Sequence, residues 1–526
     1  MGIRLFVEAC SKSHGGGMSD ESASFGAGLT TKSGELAKDT NWWGAFVIGL
    51  SGTILVVGLV GFAVVAMGGF SIPMFFVLTG IGVFLCFCLA ELAAAMPDRA
   101  GGLPSYAFET FKPWGDAAAR HLGGLSSWGY WLGWFTVAPI NAIIGGSYLA
   151  SLLGLPSGTQ FDPFGPSFGL PITSTGFVVA AVILIVMFVP CYLGIRLGAR
   201  FATVLGLASI IPLVLLVVLP FLRSDKLDFA RLQSFGMHPA EAYAGTTLSF
   251  SFILGWAFIF TWSVLAMEAA ACYIGECREP ARDAKIAMTA EGLFGFFVYL
   301  AVPIMVIAVL GVDGLASGEE GFIGDAQVLF RRYTTALFGD SSFWKWFVGL
   351  MLVIALLLSV LNAVMGCARG LYQNAHDGIL PRLFGHTNKH GVPDYAMFFN
   401  LAASMVLLLV GSPLEIYVFS NMGYLFAAAV SLIGYWLYAT KRPDAPRPVR
   451  MPKWMSPVAL VLGVVLLFTW AYGGYYAADY AVGANKRWLF WFGLGLLALY
   501  FPLYWWRQVE DRKMGRTSYA AASVQV

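Results

Sequence analysis

Residues 246–283 read TTLSFSFILGWAFIFTWSVLAMEAAACYIGECREPARD. From Thr246 to Ile274 the run is apolar and carries one charge, Glu268, and from Gly275 to Asp283 it turns abruptly polar. Such a run is long enough for a helix across the roughly 30 Å of bilayer hydrocarbon, which takes about 20 residues. A lone carboxylate at that depth is costly and usually faces a polar cavity or a partner. The stretch therefore reads as a membrane helix bordering a pathway, not merely as an anchor.

The rest of the chain fits that reading. Of 526 residues, 58% are hydrophobic and 12% charged, with a mean hydropathy of +0.72, too little polar surface to coat an ordinary globular domain. Twelve apolar segments are expected as spans: 44–66, 72–92, 122–153, 174–193, 201–222, 246–272, 290–312, 345–367, 395–411, 416–439, 455–478 and 488–506. None shows the alternation of a membrane barrel strand, so the expected class is an all-α integral membrane protein. With the N-terminus inside, the inner loops and tails hold 24 of the 32 basic residues. That bias places both termini in the cytoplasm of a multi-pass protein of the cell membrane. The net charge of +2 is mostly this topological signal and gives no reason to expect a nucleic-acid partner.

The seven cysteines are scattered, and Cys86 and Cys88 point to different helix faces, so neither a metal site nor a disulfide framework is expected. Residues 1–40 are rich in Ser and Gly and read as a cytoplasmic tail without a signal peptide. Met18 opens a second plausible start, which makes residues 1–17 a candidate over-extension.

Three inner-loop segments carry a resemblance: Ala90 to Gly102 (AELAAAMPDRAGG), Glu276 to Asp283, and Ala368 to Pro381 (ARGLYQNAHDGILP). Together, in order and spacing, they resemble the amino acid–polyamine–organocation permeases, from the first span to about residue 440. Trp131-Leu132-Gly133-Trp134, Gly145, Tyr148-Leu149 and Trp262-Ser263 with Glu268 add a likeness to the arginine/agmatine antiporter type within that family. The resemblance implies two inverted five-helix repeats, residues 41–222 and 246–440, then two further helices within 455–506 and a tail at 507–526. It also implies a substrate site near the bilayer midplane, where the first helix of each repeat is broken.

For the first break, Gly49-Leu50-Ser51-Gly52-Thr53 sets two glycines around a hydroxyl, although Leu50 stands where the family pattern has a glycine. Close packing through small residues is the alternative reading. For the second, Trp262 to Glu268 lacks a glycine pair; Trp262 aligns with the family's substrate-closing aromatic, and its indole face suits an ammonium. Ser263 adjoins it. Glu268 has three readings: a proton acceptor, a partner for a substrate amine, or an acceptor for freed backbone amides. Ser209 stands where some proton-coupled relatives carry a lysine. That leaves room for sodium, held by carbonyls near Gly49 and the Ser359 hydroxyl, or for an exchanger needing no ion. Asn141 and Asn362 are further cavity-lining candidates, with interhelical bonding as the equal alternative.

The expected function is alternating-access secondary transport of amino acids or related small amines, coupled to protons or by exchange, with no cofactor. An ethanolamine, polyamine or choline-type amine, with sodium coupling, is the alternative substrate reading. A channel and a non-transporting membrane sensor are rivals of another class, distinguished by non-saturating flux and by binding without movement. No nucleotide-binding loop or nucleophile-elbow motif supports an ATPase or a membrane enzyme. Oligomeric state is not legible.

Overall fold

The computed structural model describes residues 36, 38–163, 172–233, 248–311, 313–315, 326–410 and 413–515. The tail at 1–35, the alternative start at Met18, and Thr246 and Thr247 of the opening stretch lie outside them.

Nineteen α-helices follow in order among the described residues. The first crossing is assembled from α1 (Trp42–Gly49), α2 (Ser51–Ile54) and α3 (Val56–Met67), and α4 (Ser71–Ala95) returns. Next come the short α5 (Leu103–Thr110), then α6 (Asp116–Phe135) with α7 (Val137–Leu152), α8 (Ser174–Tyr192) and α9 (Ile195–Val218). The second half opens with α10 (Phe250–Val264), continued by a 3-10 helix (Ala266–Glu276), and goes on through α11 (Pro280–Leu310), α12 (Ala326–Phe338) and α13 (Ser342–His376). It closes with α14 (Asp394–Leu407) and α15 (Pro413–Lys441). Behind them lie α16 (Met455–Phe468), α17 (Gly474–Ala481), α18 (Trp488–Ala498) and α19 (Tyr500–Lys513). A two-residue ribbon, β1 (Gln160–Phe161) against β2 (Ile172–Thr173), is antiparallel.

Several helices start where the sequence supplies a cap. Asn41 accepts the Gly44 amide at 3.1 Å, Thr173 that of Gly176, and Ser249 that of Phe252, each satisfying an amide the helix cannot. Between α3 and α4 the chain turns at Gly68, whose φ of 53° lies in the left-handed region that a side chain disfavours.

Ten stretches among the described residues are long and apolar enough to cross a membrane. One of them, Trp42–Ala95, spans 54 residues and contains the Gly68 turn; Asp394–Val410 is apolar but shorter. Each of the twelve expected segments coincides with a helix; ten stretches meet the length and composition of a crossing, one of them folded back at Gly68, and they do not by themselves establish the count of twelve.

Helix pairing relates the two halves. The α4 helix packs on α11, and α1 and α2 pack on the 3-10 helix. On one side α9 packs against α13 and α1; on the other α15 packs against α6 and α10. Exchanging one half for the other turns each of these pairings into itself or into another of the set.

The three loop segments that carried the family resemblance converge on one end of the bundle, the end where α1 begins. Arg99 pairs with Asp377, and Arg369 with Glu276, a pair with no solvent exposure on either side. The Ala100 amide donates to Gln373 at 3.2 Å and the Gly101 amide to the Cys272 carbonyl at 3.2 Å. Gly101 and Gly102 have φ of 89° and 65°, and a side-chain carbon on Gly102 would lie 2.7 Å from the Cys272 nitrogen. Only glycine permits both that conformation and that approach. Thr40 adds a parallel bridge to Cys277, so the start of the described chain is laced into the same seal.

Candidate functional site

Both expected interruptions occur, in a milder form than an unwound turn. The α1–α2 and α2–α3 junctions fall at Leu50 (φ −49°, ψ −22°) and Leu55 (φ −59°, ψ −15°), and the α10 junction at Leu265 (φ −81°, ψ −17°). All three stay right-handed. The hydrogen bonding, not the winding, is interrupted: the Thr53 amide reaches back three residues to Leu50, the Leu55 amide to Gly52, and the Glu268 amide to Leu265. The expectation of unwound backbone is thus corrected. Leu50, with its side chain, holds helical dihedrals, and beyond Leu265 the chain tightens into eleven residues of 3-10 helix. Runs beyond three or four residues are uncommon for that helix and often mark a hinge or strain.

At the crossing the two interrupted helices touch backbone to backbone. A side-chain carbon on Gly52 would lie 1.9 Å from the Ala266 carbonyl oxygen, and one on Gly49 would lie 2.6 Å from the Ala270 nitrogen. The glycines therefore serve the close packing that the sequence left as one of two readings.

Side chains from neighbouring helices bond to the carbonyls at the irregular turns. Ser359 on α13 donates to the Ser51 carbonyl at 3.0 Å. The Tyr299 hydroxyl of α11 lies 2.9 Å from the Gly52 carbonyl, 2.8 Å from the Ser263 carbonyl and 2.8 Å from the Ser263 hydroxyl. One proton serves two carbonyls there. Asn362 donates its amide to the Ser51 hydroxyl at 2.5 Å and accepts from Tyr273. Trp262 packs on Tyr417 with ring centroids 4.4 Å apart.

Glu268 sits one turn further along, fully buried, with three donors: Tyr130 at 3.1 Å, Trp134 at 3.3 Å and Tyr424 at 3.2 Å. Cys272 touches the same Tyr130 hydroxyl at 3.0 Å. The carboxyl group is thus held by side chains of α6 and α15 and not by freed backbone amides, which sets aside the third reading of it. A second buried carboxylate, Glu291 on α11, takes the amide that Glu268 does not: Ala270 donates to it at 3.0 Å.

The structure therefore brings Gly49, Ser51, Gly52, Ser263, Ser359 and Asn362 to one crossing, with Trp262 on Tyr417 and Glu268 beside it. Two candidates lie apart in their bonding. Ser209 donates to Leu205 of its own helix at 2.5 Å, and among the described residues no hydrogen bond joins it to Gly49 or Ser359. Asn141 is buried and its side-chain amide nitrogen meets no partner among the described residues, so it is neither an interhelical bond nor a member of the Ser51 group. The sequence reading missed Tyr130, Tyr273, Tyr299, Tyr424 and Glu291, and took Trp134 only as part of a family motif, not as a site residue. Only Glu291 left a usable signal, a carboxylate within an apolar segment, and it fell at the edge of the expected span 290–312.

No basic side chain bonds to this group among the described residues, and the end of the bundle where α1 begins is sealed by Arg369 with Glu276. Toward the other end, a cavity of about 400 Å³ opens between α7, α12 and α13, lined in part by Tyr148, Ser151, Gln327 and Trp346. Residues 41–499 match the family described as amino acid permease. The chain belongs to the amino acid permease family. It is thus a multi-pass membrane protein of a transporter family within the amino acid–polyamine–organocation superfamily, whose members move small amino acids or amines. It is similar to a putative arginine/ornithine antiporter of Bacillus subtilis, 25% identical over 63% of this chain and 68% of that protein. A Pseudomonas aeruginosa arginine/ornithine antiporter is 24% identical over 68% of each chain. The rice polyamine transporter PUT1 is 23% identical over 53% of this chain and 49% of its own length.

Proposed function

We propose that this permease is a secondary transporter that carries a cationic or zwitterionic amino acid, or a related amine, by exposing the crossing of its first and sixth spans alternately to either side. The repeats would be residues 41–222 and 246–440, with both termini in the cytoplasm and the seal around Arg369 closing the cytoplasmic side. The observation that carries the reading is the crossing itself. The Ser51 carbonyl takes the Ser359 hydroxyl, and the Gly52 carbonyl, which also takes the Leu55 amide three residues on, meets the Tyr299 hydroxyl. A substrate ammonium can take over such carbonyls when those hydroxyls turn away. Two buried acidic side chains, with no basic side chain hydrogen-bonded to the crossing among the described residues, favour a substrate with a positively charged group.

The two named relatives that handle arginine and ornithine, and the one that handles polyamines, lend support to the same class. Between an amino acid and its decarboxylated amine, the lack of a basic side chain hydrogen-bonded to the crossing among the described residues favours tolerance of the amine. Reconstitution in liposomes tests all of this. Uptake or exchange of arginine, ornithine, agmatine and putrescine is measured with proton and sodium gradients imposed separately. Saturable uptake of at least one is expected, and none, or linear non-saturating flux, would refute the transporter reading.

A further inference from the structure

Glu291 is fully buried, yet it is bonded unlike Glu268. Its Oε2 accepts the Ala270 amide, while Oε1 has no hydrogen-bond partner among the described residues. No ion pair joins it to a Lys, Arg or His there. It wedges against the first break: a side-chain carbon on Gly49 would lie 2.6 and 2.7 Å from its two oxygens and 2.6 Å from the Ala270 nitrogen. The carboxyl group therefore touches the end of α1 and the 3-10 helix at once, from α11. The titratable groups that face it are Glu268 from the 3-10 helix and Cys86 from α4, neither of them a source of positive charge. The stretches α1 and α2 contribute none. A carboxylate anion in that place would hold a full charge against one amide donor, with a second acid nearby. A neutral carboxyl group keeps the Ala270 bond through its carbonyl oxygen and leaves only a hydroxyl dipole without a partner, which is much the smaller penalty.

We infer that Glu291 is a proton-binding site of the transport cycle, rested on the alternating-access reading above. With α1, the 3-10 helix and α11 packed as here, it holds a proton. When Gly49 and Ala270 move apart and water enters, the O–H bond breaks, the proton passes to that water, and the hydrated carboxylate remains. Repacking requires a proton to be taken up again, so passage between open and packed forms is tied to one proton.

The test uses the full chain in liposomes. Infrared spectra of wild type and Glu291→Gln are compared in the carboxylic-acid C=O region, together with the pH dependence of labelled-substrate exchange and accumulation under a proton gradient. Wild type should show carboxylic-acid absorbance that is weaker in E291Q. Accumulation by E291Q should fall at least ~10-fold, and its exchange should lose its pH dependence. Glu291→Asp, which restores a titratable group, should recover a pH-dependent exchange with a displaced profile, which a purely structural role for the side chain would not produce. Carboxylic-acid absorbance equal in wild type and E291Q, or proton-driven accumulation intact in E291Q, overturns the assignment. The infrared arm needs no substrate, so it decides Glu291 even where the transport reading itself fails for want of any transported compound.

Discussion

Replacing Gly52 by alanine tests whether the crossing of the two interrupted helices is as tight as it looks. The new carbon would lie 1.9 Å from the Ala266 carbonyl oxygen and 2.4 Å from its carbon, both backbone atoms of the opposing segment. Neither can rotate away. An ordinary contact needs at least 3.4 Å, so α2 and the 3-10 helix must separate by about 1.5 Å or the local backbone must bend. Forced overpacking of this kind costs about 1–3 kcal/mol. Here the cost falls on the packed form alone, since an open crossing has room for a methyl group. A bias of that size moves the balance of packed and open forms by about 5- to 150-fold. The assay is thermal unfolding of the purified protein followed by tryptophan fluorescence, with substrate exchange in liposomes alongside. Gly80→Ala is the control, because a side-chain carbon there meets nothing within 4 Å. G52A should melt lower than wild type and exchange more slowly, while G80A should match wild type in both. Equal behaviour of G52A and G80A would refute the claim that backbone contact at this crossing defines the packed form.

Two further outcomes concern the seal. Arg369→Met leaves Glu276 buried without its cation and should destabilise by about 3–5 kcal/mol, whereas Arg369→Met with Glu276→Gln should regain most of that loss; chemical or thermal unfolding of both variants checks it. Cys277 lies between two spans, and burial first, then Asp283 and Glu276, push its thiol up. Thiolate is the reactive form, so a variant keeping only Cys277 should react with a water-soluble maleimide more slowly than a free cysteine at neutral pH, faster as pH rises, and faster again under conditions that open this face. A labelling rate equal to that of an unfolded control would show that Thr40 and Cys277 are not joined as described.

Hydropathy alone placed the long apolar helices, though not α5 or α12, because a span must satisfy its own backbone and so declares itself over some 20 consecutive residues. The break residues were legible as well: Ser51 and Gly52 do stand at the crossing. Leu50, which stands where the family pattern has a glycine, keeps helical dihedrals, but the consequence, tightening in place of unwinding, depends on the opposing Ala266 and could not be read from one segment. The partners of Glu268 were out of reach for the same reason. Tyr130 and Tyr424 lie 138 and 156 residues from it along the chain, and no periodicity pairs positions that far apart. The loop segments were recognised as a family mark, yet nothing in Arg99, Glu276 or Arg369 taken singly says that they meet.

That buried pairing of Arg369 with Glu276 bears on how the protein responds to warming. Hydration of charged groups becomes less favourable as temperature rises, so withdrawing the two ions from water is penalised less, while apolar burial gains little more. The latch at the end where α1 begins should thus loosen less steeply with heat than the greasy contacts around it. A permease built this way would be throttled in the cold by side-chain packing and, near its upper working range, by a bolt of opposite charges.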